Sequence, residues 1–248
     1  MRFLSLLLFG VLVAMSAHDE HHHDAHHWGY TGEGAPENWG DLSNDFHACK
    51  YGKYQSPIDI SDIIESHAQK PVFSYKNKAK EVINNGHTLQ VNFKSGSTLH
   101  FDNKDFTLLQ MHFHTPSEYT FKGKHYPMVA HIVHQSKDGQ LLVLAVMFEE
   151  GKENDIIKQI WHNAPKKSGE SKKLAKVAVS ELVGKIESYI RLDGSLTTPP
   201  CTEGVIWLIS THNALASKEQ IEFFTNTIGK NNRPTQPANG RVIIQVSE

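Results

Sequence analysis

The feature that most constrains the fold is an alternation of apolar and polar residues between positions 72 and 148. Residues 88–93 show it clearly, with the sequence Thr-Leu-Gln-Val-Asn-Phe. A period of two is typical of β-strands with one buried face. Residues 141–148 are continuously apolar, which favours a strand buried on both faces. The region is therefore predicted to form a sheet, with turn clusters between strands at 94–97, 102–103, 122–124 and 137–139.

Helical patterns are few. Residues 153–161 carry apolar side chains at helical spacing, and Ser217 with Gln220 forms a capping box ahead of another apolar stretch. The chain contains no internal repeat and no long linker, and no part of it differs enough in amino-acid composition to indicate a second domain. Because 39% of the 248 residues are hydrophobic, the chain can build a core. Residues 28–248 are predicted to form a single, mainly β (α+β) domain.

The first 17 residues are predicted to be a signal peptide. Arg2 supplies a positive start, and residues 3–15 form an apolar run too short to span a bilayer comfortably. Small residues then permit cleavage after Ser16 or Ala17. An N-terminal membrane anchor is the alternative. No later stretch reaches about 18 consecutive apolar residues, so we expect no membrane span after cleavage and a periplasmic or secreted location.

Export predicts a disulfide, because exported proteins meet an oxidising compartment. The chain has two cysteines, Cys49 and Cys201, and an even pair in such a chain is typical of one bridge. It would close a loop of about 150 residues.

Residues 18–27 contain six of the 17 histidines, interleaved with acidic residues. This tract is predicted to be a flexible tail, which either binds divalent metal or is simply solvated. The formal net charge is −2, so no basic excess exists to hold a phosphate backbone, and nucleic-acid binding is not expected.

The stretch from Gln110 to His114 has the pattern of a metal-binding strand. Side chains alternate along a strand, so Gln110, His112 and His114 share one face, whereas Leu109, Met111 and Phe113 share the core face. Two imidazoles at positions i and i+2 can converge on one ion. A catalytic zinc site needs a third protein ligand and an open position.

The third ligand is predicted in the next strand. Residues 119–126 contain a Lys-Gly-Lys turn, so the strands on either side can pair antiparallel. Either His131 or His134 could then reach the ion, but not both, because their positions differ by three, an odd step that places them on opposite faces of a strand. The spacing leaves both alternatives open.

Seven motifs occur in a specific order along the chain: Trp28-Gly-Tyr30, Gln55-Ser-Pro-Ile58, Asn84-Asn-Gly-His87, His112-Phe-His114-Thr-Pro-Ser-Glu118, His131-Ile-Val-His134, Gly194-Ser-Leu-Thr-Thr-Pro-Pro-Cys-Thr-Glu203 and Asn232-Arg-Pro-Thr-Gln236. Together they closely resemble the α-class carbonic anhydrases, over about residues 28–246, and the cysteine pair resembles the bacterial branch. The resemblance implies a large, mostly antiparallel ten-stranded sheet with short peripheral helices.

The resemblance also implies an activity, the reversible hydration of CO2 to bicarbonate and a proton by attack of zinc hydroxide. By motif position, His112, His114 and His131 would bind one Zn²⁺ per chain, with water in the fourth position. Thr197 would accept a hydrogen bond from the zinc hydroxide, and Glu118 would accept a hydrogen bond from Thr197.

Further residues take roles by the same resemblance. His87 would be the proton shuttle, Gln110 would orient His112, and Thr198 would line the bicarbonate side. Five apolar residues would form the wall that holds CO2: Val133, Leu144, Leu196, Val205 and Trp207.

One position departs from the family pattern. The residue two places before the third zinc histidine is usually Glu, whereas here it is Val129. Val129 shares a strand face with His131, so the distal nitrogen of that ligand is predicted to lack its usual acceptor. Loss of such a partner weakens metal retention or activity.

Two other functions compete with the enzyme. One is a binding module that holds zinc, hydrates CO2 poorly and acts through its surface, and Val129 supports it. The other is a metal store that uses the tail at 18–27. The sequence leaves the oligomeric state open, a homodimer included.

Overall fold

The computed structural model describes residues 27–247. The predicted signal peptide at 1–17 and residues 18–26 of the predicted tail lie outside the described residues. Within 27–247, no helix is long and apolar enough to cross a bilayer.

Strands dominate the described residues. In chain order they are β1 (Asp59–Ile60), β2 (Ile64–Ser66), β3 (Val72–Ser74), β4 (Ala79–Asn84), β5 (Leu89–Phe93), β6 (Thr98–Phe101), β7 (Lys104–His114), β8 (Thr120–Phe121), β9 (Met128–Ser136), β10 (Leu141–Glu150), β11 (Ser171–Lys173), β12 (Tyr189–Ser195), β13 (Glu203–Ser210), β14 (Ala214–Ala216) and β15 (Ile244–Val246).

Ten of these strands form one continuous path, in the order β11-β4-β5-β7-β9-β10-β13-β12-β15-β2. Neighbours in this path are antiparallel except for the parallel pairs β10–β13 and β15–β2. Strands β3, β6 and β14 attach to its sides, and β1 pairs with β8 separately. The prediction of a large, mostly antiparallel ten-stranded sheet is therefore confirmed.

The sheet has two buried faces. One, called the helix face here, packs Met111, Ile132 and Leu144 with Trp161 and Phe224 of the peripheral helices. The other, called the histidine face, carries a smaller apolar cluster that includes Val133, Val143 and Trp207. Alternate residues of β10 belong to the two clusters, so the prediction that 141–148 is buried on both faces is confirmed.

A bulge in β7 changes which residues face the core. The pairing of β7 with β9 shifts register between Leu108 and Gln110, which leaves Leu109 38% exposed. The prediction that Leu109 shares the core face is therefore wrong, because a bulge inserts one unpaired residue and reverses the alternation. Met111 and Phe113 do lie in the core as predicted.

Short helices surround the sheet: α1 (Trp39–Leu42), α2 (His47–Tyr51), α3 (Asp155–Asn163), α4 (Val179–Val183) and α5 (Lys218–Ile228). Helix α3 begins after Asn154, whose side chain accepts hydrogen bonds from the backbone amides of Ile156 and Ile157. Helix α5 begins at the capping box predicted from Ser217 and Gln220. The irregular N-terminal segment also contains three 3-10 turns, two before α1 (Gly32–Gly34 and Pro36–Asn38) and one between α1 and α2 (Asn44–Phe46).

The predicted disulfide is present and ties the N-terminal segment to the sheet. Cys49 in α2 is bonded to Cys201, which lies 152 residues later in the loop between β12 and β13. The backbone of each cysteine is held as well, since Gln55 donates to the Cys201 carbonyl oxygen and Arg233 donates to that of Cys49.

We predict that the double variant Cys49→Ser, Cys201→Ser loses about 2–5 kcal/mol of unfolding free energy, because a bridge over so long a loop constrains the unfolded chain. Its melting temperature should fall by about 4–20 °C, measured by circular dichroism. Reductant should lower the melting temperature of the natural sequence and leave the double variant unchanged. Equal melting temperatures for the two proteins would contradict a stabilising bridge.

His134 is a buried histidine on the helix face. Its Nε2 lies 2.7 Å from the Tyr75 hydroxyl and its Nδ1 lies 3.3 Å from the Leu142 carbonyl oxygen. Burial lowers the pKa of His134 to about 4. The unfolded chain therefore binds a proton at this residue at a higher pH than the folded protein does.

We predict that this histidine makes the protein sensitive to acid. Stability should fall as pH drops from about 6.5 to about 4, and His134 alone should contribute roughly 3 kcal/mol to that loss. Chemical unfolding of the natural sequence and of His134→Gln at several pH values measures the difference, because glutamine keeps hydrogen-bonding capacity without titrating. The same pH dependence in both proteins would contradict the prediction.

Candidate metal centre

Three histidines converge on the histidine face. His112 and His114 lie at the end of β7, and His131 lies opposite them in β9, where the register pairs His112 with His131. One nitrogen from each ring can be chosen so that all three lie within 4.8 Å of one another. The antiparallel pairing expected from the Lys-Gly-Lys turn therefore brings the three side chains to one point.

The register also decides between His131 and His134. Residues of β9 alternate between the two faces, and His131 pairs with Ala145, which belongs to the cluster on the histidine face. His134 lies on the opposite face with Tyr75. Of the two histidines that the spacing left open, His131 is the one beside His112 and His114.

Hydrogen bonds fix which nitrogens of the first two rings face the centre. The Nδ1 atom of His112 lies 2.8 Å from Gln110 Oε1, and that of His114 lies 2.7 Å from the Asn231 carbonyl oxygen. Both partners accept, so each ring carries its proton on Nδ1 and has a lone pair on Nε2. The Nε2 atom of His114 is buried without a hydrogen-bond partner among the described residues, as a nitrogen that faces a metal position should be.

His131 faces the centre with its Nδ1 atom, whereas His112 and His114 face it with Nε2. Glu118 Oε2 lies 3.5 Å from His114 Nε2 and 3.7 Å from His131 Nδ1, so these two nitrogens face the same space. The Nε2 atom of His131 is therefore the distal one. It is buried and has no hydrogen-bond partner anywhere in 27–247. Val129, two residues earlier on the same face, contributes only methyl groups there.

The environment of His112 and His131 favours the neutral form of both rings. Burial lowers the pKa of His131 well below its usual value, and the neighbouring histidines lower it further. Burial, and then His114, lower the pKa of His112 in the same direction. Only a neutral imidazole has a free lone pair for a cation. Burial and the neighbouring histidines therefore favour the form of His112 and His131 that can bind a metal ion.

A buried carboxylate lies directly beside the histidines. Glu118 is fully buried, and its Oε1 accepts a hydrogen bond of 2.9 Å from the Arg233 backbone amide. Burial raises the pKa of Glu118, whereas His114, the Thr197 hydroxyl and Arg233 oppose that rise. Burial, and then the charge of Glu118, raise the pKa of the Tyr30 hydroxyl.

Most of the predicted apolar wall lies on the histidine face. Val133, Val205 and Trp207 belong to its cluster, Leu196 packs against it, and the rings of Trp207 and His131 are 4.8 Å apart. Thr198 is half-buried in the adjoining loop, where its carbonyl oxygen accepts a hydrogen bond from the Cys201 amide.

The prediction for Leu144 is wrong. Leu144 pairs with Ile132 and belongs to the core of the helix face. Its neighbour Val143 pairs with Val133 and faces the histidines. Because alternate strand residues point to opposite faces, an offset of one position transfers the prediction to the wrong side of the sheet. Val143 is therefore the β10 residue that lies next to Val133 on the histidine face.

His87 lies in the turn just before β5. Its imidazole is half-buried and stacks on the indole of Trp28, with ring centroids 3.7 Å apart and planes 7° from parallel. Its backbone carbonyl accepts a hydrogen bond from the Asn231 side chain. Burial, followed by the charge of His27, lowers the pKa of His87.

Asn231 is a site residue that the sequence did not reveal. It is buried, its side chain donates to the carbonyl oxygens of His87 and Phe113, and its own carbonyl accepts from His114. It therefore joins the turn of His87 to a candidate ligand. Its position just before the Asn232-Arg-Pro-Thr motif is the one signal that pointed to this segment.

Comparisons with known proteins agree with this geometry. Residues 34–247 match the family described as eukaryotic-type carbonic anhydrase. A carbonic anhydrase of Neisseria gonorrhoeae is 44% identical over 247 residues, which cover 98% of each chain. The solved α-carbonic anhydrase of Thermovibrio ammonificans, in complex with the inhibitor sulfanilamide, is 44% identical with a TM-score of 0.86, and the match covers 88% of this chain and 98% of that one.

A third relative bears another name. Dioscorin, solved in complex with ascorbate, matches 90% of this chain and 98% of its own with a TM-score of 0.84 at 27% identity. A shared fold does not establish a shared site, so the arrangement of His112, His114 and His131 has to be considered beside the overall similarity. With the family match over most of its length and bacterial relatives of that name at 44% identity, the chain belongs to the α-carbonic anhydrase family of enzymes.

Proposed function

We propose that this enzyme catalyses the reversible hydration of CO2 to bicarbonate and a proton, with one Zn²⁺ held by His112, His114 and His131. The observation that carries the proposal is the convergence of three ring nitrogens beside the buried Glu118 carboxylate, with His114 Nε2 left without a partner among residues 27–247. Three imidazole ligands and one open position are typical of a catalytic zinc site.

The donor set fits zinc, because neutral imidazole nitrogen is a preferred ligand of that ion and two of the rings are held by hydrogen bonds at the opposite nitrogen. Bound zinc supplies Lewis acidity that lowers the pKa of a coordinated water to about 7, a value already known for carbonic anhydrases.

Glu118 and Thr197 would set the direction of the hydrogen bonds at the open position. An ionised carboxylate only accepts, and Arg233 already donates to Oε1. Oε2 is therefore available to the Thr197 hydroxyl, which favours the ionised form of Glu118. A threonine hydroxyl has one proton, so donation to Glu118 leaves its oxygen lone pairs to accept from the reacting water.

The pocket around the open position suits an uncharged substrate. Val133, Val143, Leu196, Val205 and Trp207 provide apolar surface on the histidine face, and CO2 has no net charge to solvate. Thr198 would hydrogen-bond the product on the more polar side. The apolar part of the pocket would hold bicarbonate more weakly than CO2, because burying a charged group against apolar side chains is costly.

His87 would carry the released proton away at a ring nitrogen. A group with a pKa of about 7 can release protons straight to water at only roughly 10³–10⁴ s⁻¹, because the reverse reaction, recapture of the proton, runs at the diffusion limit. Turnover could not exceed that rate of proton release. An imidazole accessible to buffer lifts this limit.

We also propose that residues 1–17 are a signal peptide, that 28–248 form the catalytic domain, and that the protein works in the periplasm or outside the cell. The Cys49–Cys201 bridge supports an oxidising location.

Stopped-flow CO2 hydration by the purified mature protein, with zinc measured on the same sample, tests the proposed function. We expect one tightly bound zinc per chain and rapid hydration. Slow hydration with full zinc would favour the binding-module alternative, and several weakly bound ions per chain would favour metal storage.

We predict that His114→Ala loses most of its zinc and that its hydration rate falls by more than about 100-fold, because two histidines leave the site one ligand short. His134→Ala is the matched control, since it also removes a buried imidazole but from the helix face. The control should unfold at a lower temperature and keep one zinc per chain. Full zinc in His114→Ala would show that the ligands are assigned wrongly.

We predict that Val129→Glu slows zinc loss to a chelator by about 10-fold or more, with hydration equal or faster. The new carboxylate would accept a hydrogen bond from the unpartnered His131 Nε2, fix the tautomer and raise the basicity of Nδ1. Its charge would be buried, but it would face an imidazole whose other nitrogen binds a dication.

Two variants control for charge and bulk at the same position. Val129→Gln offers an acceptor without a charge and should slow zinc loss less, whereas Val129→Met adds bulk without an oxygen and should not slow it. Faster zinc loss from Val129→Glu than from the natural sequence would mean that the pocket has repacked around valine, so that the larger side chain costs about 1–3 kcal/mol.

A further inference from the structure

The surroundings of His87 contain a second imidazole that the proposed mechanism does not use. His27 is exposed, and its ring centroid lies 5.8 Å from that of His87, with the two planes at 45°. Trp28, the next residue, stacks on His87. The chain therefore holds His27 against the outer side of the residue that would carry protons.

The surroundings of the inner ring, that of His87, disfavour its protonated form. Burial lowers the pKa of His87, and the charge of His27 is the second cause of that shift. His27 is the one titratable neighbour within residues 27–247 that contributes to it. A protonated His87 is thus poorly solvated, whereas His27 meets the solvent and its buffer bases.

We propose that His27 is a second proton carrier, which accepts the proton from His87 and passes it to an external base. This inference rests on the proposed function. In the step, an N–H bond of the His87 imidazolium breaks as one forms on a His27 ring nitrogen, either directly or across one water molecule. The proton then goes from His27 to buffer, and both rings return to the neutral form.

The arrangement explains a feature of the sequence that the metal centre leaves unused. His27 is the last of six histidines in residues 18–27. Histidines attached to the same chain supply proton acceptors at an effective concentration that a dilute solute cannot match. A relay through His27 therefore matters most when external buffer is scarce.

The test compares the natural sequence with His27→Phe, which keeps an aromatic ring beside His87 but cannot carry a proton. In about 5 mM buffer, we expect kcat for CO2 hydration to fall several-fold while kcat/KM stays unchanged. In concentrated buffer the difference should vanish, and added imidazole should restore the rate. A purely structural role would not depend on buffer.

A double-mutant comparison checks that the two histidines act in series. His87→Ala should lower kcat at low buffer, and His27→Phe should lower it no further in the His87→Ala background. Additive losses would mean that His27 delivers protons by another route, which would overturn the proposed step.

Nuclear magnetic resonance gives a reading that does not depend on turnover. In the zinc-loaded protein, the pKa of His87 should rise in His27→Phe, because the repulsion between two imidazolium ions is removed. An unchanged kcat at low buffer together with an unchanged His87 titration would overturn the inference. Failure of the natural sequence to hydrate CO2 would instead overturn the proposed function.

Discussion

The register between β7 and β9 is the constraint on which the rest of the site depends. The side-chain period of a strand is two, so a slip of one residue would move every side chain of β9 to the opposite face. His131 would then lie in the helix-face core and His134 on the histidine face, away from the position opposite His112. Buried apolar surface on both faces holds the register in place, because neither face tolerates the exchange. The convergence of the three histidines thus depends on core packing far more than on local sequence.

The segment around Asn231 and Arg233 ties the separate parts of the site together. Arg233 is buried, donates through its side chain to Gln55, Ser56 and Cys49, and donates through its backbone to Glu118. Asn231 joins His87 to His114. One irregular stretch therefore holds the N-terminal segment, the Glu118 carboxylate, a candidate ligand and the proposed proton carrier in fixed positions relative to one another, which no single strand of the sheet could do.

Much of this could be predicted from the sequence, because it depends on periodicity and on specific motifs. The strand alternation, the doubly buried β10, the capping box at Ser217 and the histidine triplet all have local signals. The bulge at Leu109 has none, and it reverses the alternation. The prediction of Leu144 for the apolar wall failed for a related reason, because an offset of one position along a strand moves a side chain to the opposite face. Asn231 acts mainly through backbone atoms and long-range hydrogen bonds, which composition and spacing do not record.

The separation of 152 residues between the two cysteines has a consequence for biosynthesis. Synthesis proceeds at about 5–20 residues per second, so Cys201 follows Cys49 by about 8–30 s. During that interval Cys49 is a free thiol on an incomplete chain, and β13, which begins just after Cys201 and pairs in parallel with β10, has not yet been made. In an oxidising compartment, Cys49 could form a temporary mixed disulfide only with another molecule during that interval, and the native bridge cannot form before Cys201 has been made.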